Sequence, residues 1–225
     1  MSTPTVLEQK QQAALEKLAA GEVDEAAAIL RECLEITEAS SGAHSLETAQ
    51  AAFTLALCMF RKEPVTPERL QEIEVLTNRA LTIRTAIKGR IDSSVAITAD
   101  FFGSIYRFSG RFSEAEKMFR LSLDNAMTLV GPSHINTAKA ELSLAISLFE
   151  QENNFEEAKS LLEKCLVTRR RFFGSNSVET VSALETYANV LERMGLRDQA
   201  REALSESQNL EVLSAPLAPN QQAMR

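Results

Sequence analysis

The sequence predicts an all-α fold, a right-handed α-solenoid of about five antiparallel helix pairs. The first observation is composition, because the 225 residues include only eight Gly and six Pro, and few helix breakers favour helices over strands. The second observation is a motif that recurs at a nearly constant spacing along the chain. The third is the helical periodicity of apolar residues inside each recurrence.

The recurring motif is a glycine that stands eight residues after a leucine. It occurs four times, as Leu34 with Gly42, Leu81 with Gly89, Leu123 with Gly131, and Leu166 with Gly174. Successive glycines are 47, 42 and 43 residues apart. Because self-similarity at a fixed period marks a repeat architecture, each interval is predicted to hold one structural unit.

The first helix of each unit is predicted to begin soon after the glycine. Six residues after the glycine stands Thr48, Val95, Thr137 or Thr180. Further on comes a step from a large to a small side chain, in Leu55-Ala56, Phe102-Gly103, Leu144-Ala145 and Tyr187-Ala188. A small residue at this point lets the partner helix approach closely.

The second helix of each unit follows a polar turn and opens with Ala26, Ala115, Ala158 or Ala200. Acidic residues near this start complement the helix dipole, and the glycine ends the helix. In the second unit the turn from Arg61 to Glu68 is longer. There Thr66 is predicted to cap a helix with Pro67 in its first turn, so the insert is a surface loop or a short helix extension.

These boundaries divide the chain into an array and two short ends. Residues 1–6 are expected to be a flexible N-terminus, and residues 213–225, rich in Pro and amides, a disordered tail. The array spans 7–212, with units at about 7–43, 44–90, 91–132, 133–175 and 176–212.

The segment from Gly103 to Ala115, with Phe119 further on, resembles the tetratricopeptide repeat signature. That signature has a small residue, an aromatic, the turn glycine, a second aromatic and then alanine. The usual period is 34 residues, and the longer period here is similar to the kinesin-light-chain variety. The resemblance implies a solenoid of helix pairs whose first helices line a concave groove.

The sequence departs from kinesin light chains where those proteins carry paired asparagines facing the peptide groove. The matching positions hold Phe53-Thr54, Asp100-Phe101, Leu142-Ser143 and Glu185-Thr186. The Lys/Asn clamp of chaperone-binding relatives and the heptad segment that binds a kinesin heavy chain are not visible either. The resemblance therefore implies the fold and carries over no specific partner.

A repeat array presents an extended surface to a partner, so the leading prediction is a non-enzymatic scaffold or adaptor that binds a peptide or helix in its concave groove. Projecting the helical period places nine polar residues towards that groove: Gln50, Arg61, Asp100, Ser104, Arg107, Lys139, Glu185, Asn189 and Arg193. Four aromatics lie nearby and serve either as apolar anchors or in packing between helices: Phe53, Phe60, Phe108 and Phe149.

Residues that could carry chemistry are few, so no catalytic, cofactor-binding or metal site is predicted. Only two histidines exist, His44 and His134, and both are expected to serve structure in the linker after a repeat glycine. The carboxylates scatter along helices as on a solvated face. No phosphate loop, metal motif or nucleophile elbow is present. A net charge of −7 argues against nucleic acid and anionic membranes as partners.

Two alternatives remain beside the scaffold. The array could self-associate through its ends, where the last helix carries Leu196, Ala200, Ala203, Leu204 and Leu210. A remote alternative is a nucleic-acid-associated factor acting through Arg169–Arg171, which precede Phe172 and Phe173.

The cell compartment is predicted from the cysteines and from hydropathy. Cys33, Cys58 and Cys165 form an odd set without a CxxC pair and are expected to be free, buried thiols in a reducing compartment. With no signal-peptide pattern and no apolar stretch of the ~20 residues that span a bilayer, we expect a soluble, cytoplasmic protein.

Overall fold

The computed structural model consists of α-helices joined by short turns. It describes residues 5–152, 154–175 and 177–214, with side chains up to Glu206. Ten helices lie in these ranges: α1 Val6–Ala19, α2 Val23–Ser41, α3 Leu46–Phe60, α4 Pro67–Lys88, α5 Ser93–Phe108, α6 Phe112–Val130, α7 Ile135–Glu150, α8 Phe155–Phe173, α9 Val178–Arg193 and α10 Arg197–Ser214. No strand occurs in the described ranges, so the predicted all-α fold of about five helix pairs is confirmed.

Most helices pack against a neighbour in sequence. α1 packs on α2, α3 on α4, α7 on α8 and α9 on α10, and α2, α4 and α8 also pack on the helices that follow them. The chain divides into two compact units, Met1–Asn125 and Ala126–Arg225, called here the N-terminal and C-terminal units. The predicted limits of the five repeats stay predictions, and residues 1–4 and 215–225 lie outside the described residues.

The junction after a repeat glycine is closed by the hydroxyl group six residues later. Three threonines donate to the glycine carbonyl: Thr48 to Gly42 at 2.7 Å, Thr137 to Gly131 at 2.6 Å and Thr180 to Gly174 at 2.9 Å. The glycines have φ of 84–90°, in the left-handed region that side chains rarely adopt. The glycine therefore turns the chain, and the threonine satisfies a carbonyl that the helix end leaves free.

The second junction, after Gly89, has Val95 in place of threonine and is built differently. The Asp92 carboxylate caps α5 by accepting from the Ser94 amide at 2.8 Å. The Asp92 amide in turn donates to Asn125 Oδ1 at 2.7 Å, and Asn125 is fully buried. This bond joins the start of α5 to a side chain of α6, whereas the other junctions are closed by a local hydroxyl.

The helix after the long second turn starts as the sequence predicts. Thr66 Oγ1 accepts from the Arg69 amide at 3.3 Å and Pro67 is the first helical residue, so the predicted cap is confirmed. The turn that precedes it is a loop, and α4 has 22 residues, whereas α2, α6 and α8 each have 19. The extra residues of the second unit therefore lengthen both the turn and the helix.

The small residues of the first helices lie where helices approach most closely. Ala56, Ala145 and Ala188 are buried, at 0 to 1% exposure. At Gly103 an added Cβ would lie only 2.6 Å from the ring of Phe119, which is itself 1% exposed. The predicted role of the large-to-small step in close helix packing is therefore borne out by these contacts.

The three cysteines are free and buried, as predicted. Burial raises the pKa of the Cys165 thiol to about 11 and also raises the pKa of Cys33 and Cys58. At neutral pH these groups are therefore thiols packed among apolar side chains. None of the described helices is long and apolar enough to cross a bilayer.

We predict that Gly103→Ala destabilises the protein by about 1 kcal/mol. Alanine gains up to about 1 kcal/mol of helix propensity, but overpacking against the Phe119 ring costs about 1–3 kcal/mol. Urea denaturation followed by circular dichroism measures the net effect. Combining the change with Phe119→Leu should cost less than the sum of the single changes, and strictly additive costs would show that the ring does not limit the approach.

Candidate functional site

The nine residues predicted to line a groove lie on or at the end of first helices. Gln50 lies on α3 and Arg61 follows its last turn, Asp100, Ser104 and Arg107 lie on α5, Lys139 on α7, and Glu185, Asn189 and Arg193 on α9. On α5 and α9 they are spaced by three or four residues and so share one face of each helix. Their binding role stays a prediction, five residues belonging to the N-terminal unit and four to the C-terminal unit.

Several of these side chains are held by partners within the protein. Gln50 Oε1 accepts from Arg84 Nη2 at 2.6 Å, and its amide nitrogen donates to Thr54 Oγ1 at 3.1 Å. Arg193 forms an ion pair with Glu152, and its guanidinium carbon lies 5.6 Å from the ring centroid of Phe155. Gln50 and Arg193 are therefore positioned in advance, which lowers the entropy cost of a further contact.

Aromatic rings join α3 and α5 in the N-terminal unit. Phe101 makes edge-to-face contacts with Phe53 and Phe60, at centroid distances of 5.6 and 5.5 Å, and Phe60 contacts Phe108 at 5.6 Å. Phe53 is 4% exposed and belongs to the core, whereas Phe108 is 53% exposed. Of the two interpretations left open, packing between helices therefore describes Phe53, and Phe108 is accessible to a partner.

An apolar cleft of about 600 Å³ opens between α1, α2 and α3. Its walls are Leu7, Gln11, Ala14, Leu15 and Leu18 from α1 and Leu46, Glu47, Gln50, Ala51 and Thr54 from α3, and its floor is Leu30, Cys33 and Thr37 from α2. Leu15 is 60% exposed although it lines the cleft. Glu47 is the charged residue of this lining, so the cleft suits an apolar occupant.

The sequence places Gln50 in this region but predicts none of the α1 residues that form the opposite wall. The signal was present, since Leu7, Ala14, Leu15 and Leu18 recur at helical spacing over three turns. α1 lacks the preceding repeat glycine that marks the other first helices, so the repeat pattern does not extend to it. The cleft thus adds residues to the predicted surface.

The basic cluster Arg169–Arg171 does not form one surface. Arg169 is 8% exposed, and its guanidinium donates to the backbone carbonyl of Glu179. Arg170 pairs with Glu206 at 2.6 Å. Arg170, Arg171 and the half-exposed Phe172 and Phe173 are accessible at the end of α8, and the Glu206 carboxylate offsets the charge of Arg170. The structure therefore gives little support to nucleic-acid binding, which needs several cations along one groove.

The last helix presents polar residues outwards over its described part. Ala200 and Ala203 are buried at 5 and 6% exposure, and Leu204 is 36% exposed. The exposed residues of α10 are otherwise charged or polar, namely Arg197, Asp198, Gln199, Arg201, Glu202 and Ser205. Leu210 lies outside the described side chains. A polar outer face of this kind is typical of a capping helix and does not favour self-association.

One of the two histidines caps a helix, and the other is exposed. His134 caps α7, with Nδ1 accepting from the Asn136 amide at 3.1 Å, and its ring contacts Phe172. His44 is exposed beside Ser45, which caps α3. Among the described side chains, His, Cys, Asp and Glu form no group of three that could hold a metal ion.

Comparison with known families gives one match. Residues 94–166 and 136–210 match the tetratricopeptide repeat, and together these segments cover just over half of the 225 residues. No curated protein matches the chain.

Solved structures of similar fold cover almost the whole chain. A protein of nearly identical tetratricopeptide-like repeats from Podosopora anserina, assigned to the kinesin light chains, has a TM-score of 0.78 and 17% identity, over 96% of this chain and 99% of that one. BtubC from P. vanneervenii has a TM-score of 0.79 and 16% identity, over 98% and 85%. The MamA protein has a TM-score of 0.65 and 12% identity, over 95% and 98%. At these identities the likeness shows the fold alone.

We predict that a polarity-sensitive apolar dye binds the cleft and that Leu15→Gln weakens its binding about fivefold. The change removes apolar contact worth about 1 kcal/mol, while the free energy of unfolding changes by less than about 0.5 kcal/mol because the side chain is largely exposed. Fluorescence titration measures the binding. Val75→Gln, at an α4 side chain that is 61% exposed, is the matched control, and equal effects of both changes would contradict a defined cleft.

Proposed function

Because the chain belongs to the tetratricopeptide repeat family, we propose that it is a protein-interaction scaffold that holds a peptide or helix of another protein. The observation that carries this proposal is the apolar cleft between α1, α2 and α3. The nine predicted groove residues would add polar contacts to a partner, and one of them, Gln50, lines the cleft. Adaptor function is part of the proposal, and isolating the partner, as described below, tests it.

The dimensions of the cleft suit a short helix or an extended segment. The α1 wall runs from Leu7 to Leu18, and at 1.5 Å per residue this is about 16 Å, or three turns. Apolar residues at i, i+3, i+4 and i+7 of an amphipathic helix would lie along such a wall. Glu47 stands among amide and hydroxyl groups at the α3 wall, which suits a polar or cationic group beside the apolar residues.

The chemistry of the side chains supports binding over catalysis. The pKa of the Cys165 thiol is raised to about 11 by burial, and the reactive form of cysteine is the thiolate. Each histidine stands at a helix start, one of them as the cap of α7. We therefore place no reaction at these groups and propose a non-enzymatic role. The three buried free thiols suit a reducing compartment, so we propose the cytoplasm.

The function is tested by isolating a partner and measuring its affinity. The purified protein captures partners from its native source, mass spectrometry identifies them, and each is then purified and titrated. We expect Leu15→Gln to weaken the dissociation constant about tenfold or more, because burying a leucine contributes about 1.5–3 kcal/mol.

The same titration with Val75→Gln is the control, since Val75 is equally exposed on a second helix. We expect that control to bind the partner as the unchanged protein does. A partner that binds all three proteins equally would show that the cleft is not the site. A chain that captures nothing under conditions where it is folded would contradict the scaffold itself.

A further inference from the structure

One repeat position holds a carboxyl group where the other repeats hold apolar side chains. Ten residues after the repeat glycine stand Ala52, Ala99, Glu141 and Leu184. All four are buried, the three apolar residues at 0 to 1% exposure and Glu141 at 2%. The expectation that carboxylates lie on a solvated face is therefore wrong at Glu141, which occupies a core position of α7.

The Glu141 carboxyl group lies among apolar side chains and has few polar partners to offset the cost of its burial. Oε2 is buried and has no hydrogen-bond partner among the described atoms. Ala138, Leu166, Val181 and Leu184 form the apolar cluster that joins α7, α8 and α9. A buried carboxylate without a partner costs much more free energy than a buried neutral carboxyl group.

The titratable and charged groups that act on Glu141 or pack at the same apolar cluster belong to α8 and α9. On α8 they are Lys164 and Cys165. Lys164 is exposed and acts through its charge, and the Cys165 thiol is buried. Arg169, next to that thiol, is bound to the Glu179 carbonyl. On α9 the phenol of Tyr187 is bound to Glu163. Desolvation outweighs the attraction of Lys164 and raises the pKa of Glu141 to about 7.

We propose that Glu141 is a proton-operated switch for the packing of α7 on α8 in the C-terminal unit. With a proton on the carboxyl group the core position is neutral and the two helices pack closely. Loss of the proton places a negative charge in the apolar cluster, and the helices must open or admit water to hydrate it. This goes beyond partner binding, because it makes the order of one unit depend on pH.

The direction of the effect follows from the two pKa values of the group. The unfolded chain has the ordinary value of 4.5, and the folded protein has about 7, so the folded state holds the proton more tightly between these pH values. The stabilisation that the bound proton gives the folded state is therefore full below about pH 4.5. It declines as pH rises towards 7 and is lost above that. One linked proton changes the opening equilibrium about tenfold per pH unit in this window.

Hydrogen exchange of the full chain, read by mass spectrometry between pH 5 and 8 and corrected for intrinsic exchange rates, tests the switch. We expect peptides of α7 and α8 to lose protection by about tenfold per pH unit from pH 5 to 7. Glu141→Gln cannot titrate and should show a flat profile. Glu141→Leu, which copies Leu184, should be flat and more protected at pH 8.

The control is Glu192→Gln, which removes an exposed carboxylate of α9 in the same unit. It should keep the pH dependence of the unchanged protein. The proposal is overturned if Glu141→Gln and the unchanged protein lose protection in parallel. Because Gln retains the shape of Glu, this comparison holds even where Glu141→Leu alters the packing.

Discussion

The junction between two helix pairs must reverse the chain within a few residues and still satisfy the carbonyl groups at the end of a helix. In this protein the glycine provides the turn, since its φ is positive. A threonine hydroxyl six residues later donates a hydrogen bond to the glycine carbonyl. The bond fixes where the next helix starts. It thereby decides which residues of that helix face the preceding pair and which face outwards.

Packing within a helix pair depends on small side chains on one helix and on the aromatic or aliphatic groups that fill the space they leave. Gly103 and Phe119 are the closest example. Ion pairs between successive second helices add contacts on the outside, as between Arg31 and Glu72 at 2.9 Å. Such exposed pairs contribute about 0–1 kcal/mol each, so burial of apolar side chains supplies most of the stability.

Much of the fold could be predicted from the sequence, because the glycine, the threonine and the small residue each serve a backbone or packing need that recurs along the chain. The groups that were not predicted depend on tertiary contacts. Arg169 lies in the last turn of a helix, where cations are usually exposed, yet it turns inwards to a carbonyl group of the next helix. α1 carries the wall of the cleft without a preceding repeat glycine, and Glu141 is recognised as buried only when its position is aligned with Ala52 and Ala99.

The second junction, after Gly89, has a consequence for the order in which the chain folds during synthesis. At the other junctions the hydroxyl and the carbonyl are six residues apart, so the bond can form as soon as that short segment has emerged. At the second junction Asp92 is bound by Asn125, 33 residues later. Domains are made from the N-terminus onwards. The Asp92 amide at the start of α5 therefore finds this partner only after most of α6 has been made.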